Sequence, residues 1–253
     1  MVYDLQKASM WKRASAWLLD MILLGIVAVG FAWLISGTMH FDTYSEALDE
    51  AYLKYETQYG MSFGITQEEY AAMTDAQRQS YIDGYNALAA DADAMYAYNM
   101  LISLSLLITS LSLLMAYLIL EFFLPLRFRN GQTVGKKIFG VALMRTDGVK
   151  ISAFQLFART VLGKYTIETM VPVLLVMLIF WGSIGITGTA ILVGLLILQI
   201  ALMSVSRTNS AIHDVLAGTV AVDMASQMIF GSQEDMLSYR QRINAEHAAR
   251  QDY

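Results

Sequence analysis

Three stretches of this chain carry no Asp, Glu, Lys or Arg for at least the length of a bilayer-crossing helix. They are the 21 residues between Asp20 and Asp42, the 27 between Asp93 and Glu121, and the 38 between Glu168 and Arg207. A helix crosses the hydrocarbon core in about 20 residues, so the first two predict one span each, over Ala14 to Ser36 and over residues 99–125. A straight helix through the third would be about 57 Å long, nearly twice the apolar thickness of roughly 30 Å. Gly182, Gly185 and Gly188 cluster at its midpoint. It therefore reads as two spans, Tyr165 to Trp181 and Ile186 to Val205, joined by a tight turn. Small residues at helical spacing, Ala28 with Ala32 and Ser183 with Thr187, suit close helix packing.

The segments between the spans have their own periodicities. In residues 37–98, Tyr44, Leu48, Tyr52, Tyr55 and Tyr59 recur at steps of three and four, and Tyr81, Tyr85, Leu88 and Met95 do the same, so two helices with aromatic stripes are expected. Thr66 to Glu69 and Thr74 to Gln77 have the capping-box pattern that starts a helix. A continuous run of the later helix into the second span is open. Val141 to Thr146, Asp147-Gly148 and Val149 to Ile151 have the form of a short hairpin. Ser152 with Gln155 then starts a helix whose apolar face (Phe154, Phe157, Val161, Leu162) and cations (Arg159, Lys164) suit the membrane surface. After Gly231 the chain is polar and only weakly periodic.

The expected fold class is an all-α polytopic membrane protein: four transmembrane helices with a small external helical insert and a short cytoplasmic β-hairpin. Its parts are residues 1–36 (N-terminus and first span), 37–98 (insert), 99–125 (second span), 126–164 (hairpin and surface helix), 165–206 (third and fourth spans) and 207–253 (tail). Composition agrees, at 56% hydrophobic, 15% charged and a mean hydropathy of +0.46, too apolar for an ordinary soluble domain. Lys and Arg number 3 before the first span, 2 in residues 37–98, 8 in 126–164 and 4 after Val205. Positive charge stays inside, which predicts cytoplasmic termini and an external insert. That insert carries 11 acids against Lys54 and Arg78, a net charge of −9, with 9 of the 14 tyrosines. Its stripes pack together with the acidic faces solvated, or they form a docking face for a protein partner. Lys7, Lys12 and Arg13 before an apolar run resemble a secretory signal, but Asp20 interrupts the run and its length suits a retained span.

The candidate chemistry lies in ionisable groups at the span ends. Arg13 and Asp20 are seven residues apart, close to two helical turns, so both fall near one face about 10 Å apart along the axis. An acid at that depth needs protein, water or a counter-charge, and Arg13 is the neighbour expected to hold it. Glu121, four residues before Pro125, is placed to snorkel to water. With Lys136, Lys137, Arg159, Lys164, Glu168, Arg207, His213 and Asp214, these groups all fall on the cytoplasmic half. Two readings stand for the constellation Arg13, Asp20, Glu121, Arg159, His213 and Asp214: Asp20, assisted by Arg13 and by Glu121 or Asp214, engages a cation or proton during transport, or Arg13, Asp20, Arg159 and Asp214 tie the first span to the surface helix and the segment after the last span. Gly60-Met61-Ser62-Phe63-Gly64 matches a hydrolase nucleophile elbow but lacks its strand, helix and triad context, so no enzyme is expected. No cysteine occurs and the histidines are scattered at 40, 213 and 247, which gives no metal-ligand spacing and no cofactor motif. A net charge of −5 gives no footprint for nucleic acid.

The first span with Arg13 and Asp20, the turn from Asn130 to Lys137 (Asn-Gly-Gln-Thr-Val-Gly-Lys-Lys), and the segment from Asn209 to Val222 together resemble the RDD family of bacterial membrane proteins. Arg13 matches the family's arginine, Asp20 its first aspartate and Asp214, after His213, its second. The Val141 to Gly148 segment and Arg159 also resemble the pattern, while residues 37–98 look like an addition private to this chain. The resemblance implies a multi-pass protein of the bacterial plasma membrane with a role in transport of a cation, a proton or a small ligand. The rival expectation is a non-catalytic accessory subunit that binds a partner through its insert.

Overall fold

The computed structural model of the 253-residue chain describes residues 5–128, 130–180, 182, 184–206 and 208–251. Its elements run α1 (Met10–Thr38), α2 (Phe41–Tyr59), α3 (Gln67–Ala72), α4 (Asp75–Ala90), α5 (Ala92–Arg127), α6 (Val134–Ile138), β1 (Val141–Arg145), α7 (Ala153–Phe180), α8 (Gly185–Val205), α9 (Ile212–Ala217), β2 (Thr219–Asp223) and α10 (Gln233–Gln251). Four of them, α1, α5, α7 and α8, are long and apolar enough to cross a membrane. Trp181, Ser183 and Arg207 lie outside the described residues. The chain divides into two units, Met1–Val29 with Leu113–Tyr253, and Gly30–Ser112.

In the larger unit, Leu24 and Ala28 of α1 meet Ala116 and Tyr117 of α5. Both are helices that need an apolar partner face. The third span departs from expectation: the predicted surface helix from Ser152 and the predicted span from Tyr165 are one helix, α7. No proline interrupts it before Pro172, and Gly163 allows a neighbour to press close, since a Cβ there would lie 2.6 Å from the His213 Cβ. Ser152 and Gln155 do form the predicted capping box at its start. Between α7 and α8 the chain reverses within a few residues, with Gly182 and Gly185 at positive φ, a conformation that glycine adopts cheaply.

α5 and α7 contain π-helical stretches, Leu118–Phe123 and Ala158–Met170, in which each bond reaches five residues back. The only prolines in the chain, Pro125 and Pro172, lie four residues after Glu121 and Glu168. A proline has no N–H to give the carbonyl at i−4 and its ring crowds that carbonyl. The Glu121 carbonyl freed in this way accepts instead from Thr160 Oγ1 at 2.9 Å.

The small sheet corrects the expected hairpin. Arg145 N–H to the Val149 carbonyl (2.8 Å) closes the Asp147-Gly148 turn, but beyond it only Met144 and Lys150 bridge. The strand that pairs β1 is β2, antiparallel from Val141 opposite Asp223 to Arg145 opposite Thr219. The start of the expected tail is thus built into the core. Alternation of side chains in β1 and β2 puts Val141, Leu143 and Ala221 with Ala8 on one face. Ala142, Met144, Val220 and Val222 lie on the other face, so both faces are covered. Lys150 N–H turns to the Phe230 carbonyl (2.8 Å), and Val149, Phe230 and Met236 dock the start of α10.

In the smaller unit, α2 and α4 pack Tyr55 and Leu88 around Ala94, flanked by Tyr52, Tyr59 and Phe63. The predicted stripe of α2 is therefore the inner face, whereas Tyr85 of the second stripe is exposed. Both predicted capping boxes, at Thr66 and Thr74, are formed. α4 does not run into the second span: Asp91 interrupts it and its Oδ1 accepts from the N–H groups of Asp93 and Ala94 at the start of α5. Ser62 of the elbow-like motif donates to Glu56 Oε1 at 3.0 Å.

Gly163→Ala, which forces a methyl into His213, is expected to destabilise the detergent-solubilised protein by about 1–3 kcal/mol. Chemical unfolding checks it, and an unchanged midpoint would show that α9 does not rest on α7 at this point.

Candidate functional site

A cavity of about 630 Å³ lies within the larger unit, walled by α1, α5, α7 and α8 and by the segments that carry Lys136 and Asp214. Much of its wall is apolar, yet nine acidic, basic or histidine side chains reach it: Arg13, Asp20, Glu121, Lys136, Arg159, Lys164, Glu168, His213 and Asp214. Six of them are buried: Asp20, Glu121, Lys136, Arg159, Lys164 and Asp214. The π-helical stretches present four of the nine, with Glu121 on the first and Arg159, Lys164 and Glu168 on the second. Short π segments within α-helices recur at functional sites.

Asp20 is not held by Arg13. Its Oδ1 accepts from the Gly135 N–H at 2.8 Å and its Oδ2 from the Thr133 hydroxyl, so it anchors α1 to the start of α6. The fit explains the glycine: a Cβ at residue 135 would run into the Ala16 carbonyl oxygen and stand 2.9 Å from Asp20 Oδ1. Arg13 reaches the other way. It donates to the Asn209 carbonyl at 2.7 Å and stands 3.8 Å from Asp214 Oδ2. Asn209 takes a left-handed backbone, φ 51°, which asparagine tolerates, and its amide closes the end of α8 on the Met203 carbonyl.

Asp214 gathers the partners that expectation assigned to Asp20. Arg159 Nε donates to its Oδ1 at 3.0 Å, as does the Thr219 hydroxyl, and His213 Nε2 is 3.5 Å from its Oδ2. Burial would push this carboxyl up, but Arg159, His213 and Arg13 outweigh it and hold Asp214 well below the usual carboxylate range. Burial and the Arg159 charge keep the His213 imidazole below its ordinary value, against the pull of Asp214 and Glu168. Glu168 binds His213 twice, at the ring Nδ1 (2.7 Å) and at the backbone N–H (3.0 Å).

Glu121 does not snorkel. It is 4% exposed, with Lys164 Nζ 2.5 Å from its Oε1 and Lys136 Nζ 3.8 Å from its Oε2. Lys136 is pushed down to about 8, chiefly by burial, with Lys164 and Arg159 repelling it and Glu121 and Asp20 attracting it. All six expected site residues therefore face one cavity. Lys136, Lys164 and Glu168, which sequence reading placed among the boundary charges and not in the site, face it too. Glu168 carried a signal, since it repeats the Glu-to-Pro spacing of Glu121.

Compared with known families, residues 7–218 match the RDD family, and the chain belongs to it. No curated protein and no solved structure matches the chain. Family membership and the four apolar helices make it a multi-pass membrane protein.

Asp20→Ala strands the Gly135 N–H and the Thr133 hydroxyl and is expected to cost about 1–3 kcal/mol in unfolding. Asp20→Asn keeps an acceptor for Gly135 while the Thr133 hydroxyl turns to accept, so its loss is smaller. Equal losses would contradict this geometry. For Lys136, the unfolded side chain titrates near 10.4, so between about pH 8 and that value the unfolded state binds the extra proton and stability rises with pH. Melting curves across this window should rise more steeply for wild type than for Lys136→Met; identical slopes would remove Lys136 as the cause.

Proposed function

We propose that this RDD-family protein is a carrier of the bacterial plasma membrane, with both termini cytoplasmic, and that it binds a small charged ligand, a cation or proton among them, in the charged cavity. The observation that carries the reading is the cavity itself: four basic and four acidic side chains and one histidine face it, in a bundle of membrane-spanning helices. Ionisable groups are costly in hydrocarbon and mark ligand or ion pathways where they face an internal space. A purely structural tie accounts for Asp20, satisfied by Thr133 and Gly135, and for Asp214, satisfied by Arg159 and Thr219, but such a tie does not require the charges to converge on open volume. Irregular helix at membrane depth is tolerated where it lines such a space, and both π-helical stretches contribute charges to this one.

A second reading, that the insert docks a protein partner, draws on the smaller unit, where Leu53, Tyr85 and Tyr96 are all more than half exposed. Tyrosine is enriched where proteins meet, so exposed tyrosines suit contact with another protein.

Proteoliposomes with imposed proton, sodium, potassium or phosphate gradients test both readings. At least one gradient should collapse faster than in empty vesicles, and Glu121→Gln, at equal folded fraction, should slow that collapse. Decay of all four gradients at the rate of empty vesicles would overturn the carrier. A chain lacking residues 42–95 should retain the flux; lost flux together with loss of a co-purifying partner would favour the accessory reading.

A further inference from the structure

Two buried atoms of cavity-lining residues find no hydrogen-bond partner on the protein among the described residues: Arg159 Nη1 and Glu121 Oε2. The two residues are 2% and 4% exposed and both face the cavity. A buried polar group left unsatisfied is expensive, more so when it is charged. Each group is otherwise committed, with Arg159 Nε on Asp214 and Glu121 Oε1 on Lys164. Lys136 is underused as well. Its ammonium has three donors, yet its contacts are a long 3.4 Å bond to Thr133 Oγ1 and the 3.8 Å approach to Glu121, the latter beyond hydrogen-bond range.

Over the whole cavity the four basic and four acidic side chains balance, but they are unevenly placed. Asp20 is satisfied by Thr133 and Gly135, Glu168 by His213, and Asp214 by Arg159, Arg13 and Thr219. Around Glu121, three cations converge on one carboxylate, Lys136, Lys164 and Arg159, of which Arg159 also serves Asp214. A metal cation could satisfy Glu121 Oε2, but the three positive side chains repel it and Arg159 Nη1 gains nothing. A fully deprotonated anion could satisfy Arg159 and Lys136, but it meets the lone pairs of Glu121 Oε2 with no donor. An anion that keeps a hydroxyl answers both atoms.

We propose that Glu121, Lys136 and Arg159 form the seat for a small oxyanion bearing its own O–H, of the hydrogenphosphate kind, free or as a lipid phosphomonoester headgroup. Arg159 Nη1 and Lys136 Nζ donate to its unprotonated oxygens, and its hydroxyl donates to Glu121 Oε2. This assignment rests on the cavity being the ligand site of the carrier and names the class of ligand it takes.

Equilibrium dialysis of radiolabelled inorganic phosphate against the full chain, in nanodiscs of zwitterionic lipid at pH 7, tests it. Phosphate should bind, and sulfate, which has no hydroxyl at this pH, should compete at least about tenfold less well, because a site built to accept from a hydroxyl rejects the analogue without one. Glu121→Gln, whose carboxamide can itself donate, should narrow that discrimination, and Arg159→Lys should weaken binding by about tenfold or more. Should Arg159→Lys fail to fold, the phosphate-to-sulfate ratio in the wild-type protein still decides. Tighter competition by short-chain phosphatidic acid than by inorganic phosphate would support the seat and assign it to a lipid headgroup. Absence of phosphate binding, or equal competition by sulfate, would overturn the proposal. If phosphate fails to bind while a proton or sodium gradient still collapses in vesicles, only the ligand class falls. If phosphate binds while no gradient collapses, the seat stands and the carrier reading falls.

Discussion

Arg159 and Asp214 meet at 3.0 Å with both side chains almost wholly shielded from solvent, and that contact joins a membrane-spanning helix to the segment that follows the last span. Removing one member of such a pair strands a charge where water cannot reach it, so the position of α9 on α7 is bound to it. Much else follows from where α9 sits. It fixes His213 against Gly163 and Glu168, brings Thr219 to Asp214, and delivers Thr219–Asp223 as β2 to the edge of β1. Arg13 reaches the same carboxylate from α1, so three helices share one anion.

The irregular helices explain how so many charges reach one space. Pro125 and Pro172 deny a donor to the carbonyls of Glu121 and Glu168, and the backbone around both acids is wound more widely than an α-helix. Thr160 takes up the freed Glu121 carbonyl, which ties α5 to α7 at the depth of the charges. The two acids then divide the work. Glu168 is consumed by His213, and Glu121, with one oxygen on Lys164 and the other unbonded, remains available to the cavity.

What could be read from the residues beforehand was whatever depends on neighbours in the chain. The four spans follow from uninterrupted apolar length, and the starts of three helices follow from Thr66, Thr74 and Ser152 with their partners three residues on, because a cap is a local bond. Convergence of Arg13, Asp20, Glu121, Arg159, His213 and Asp214 on one space was anticipated only as a set of charges near one boundary. Their pairing was not legible. Arg13 and Asp20 share a helix and look like natural partners, yet each has its nearest neighbours more than a hundred residues away, in Thr133 and Gly135 for the acid and Asn209 and Asp214 for the base. The strand β2 was hidden for the same reason: Asp147-Gly148 offers β1 a nearer partner, and only packing on both faces shows why Val220 and Val222 are preferred.

A double-mutant cycle on Arg159 and Asp214 is the most direct measurement. Unfolding free energies in detergent are needed for wild type, Arg159→Met, Asp214→Leu and the double variant. Direct pairing predicts that the double variant loses less than the sum of the single losses, with a coupling of about 1–3 kcal/mol. Strictly additive losses would mean that the two charges do not depend on each other, and would contradict the arrangement on which the cavity stands.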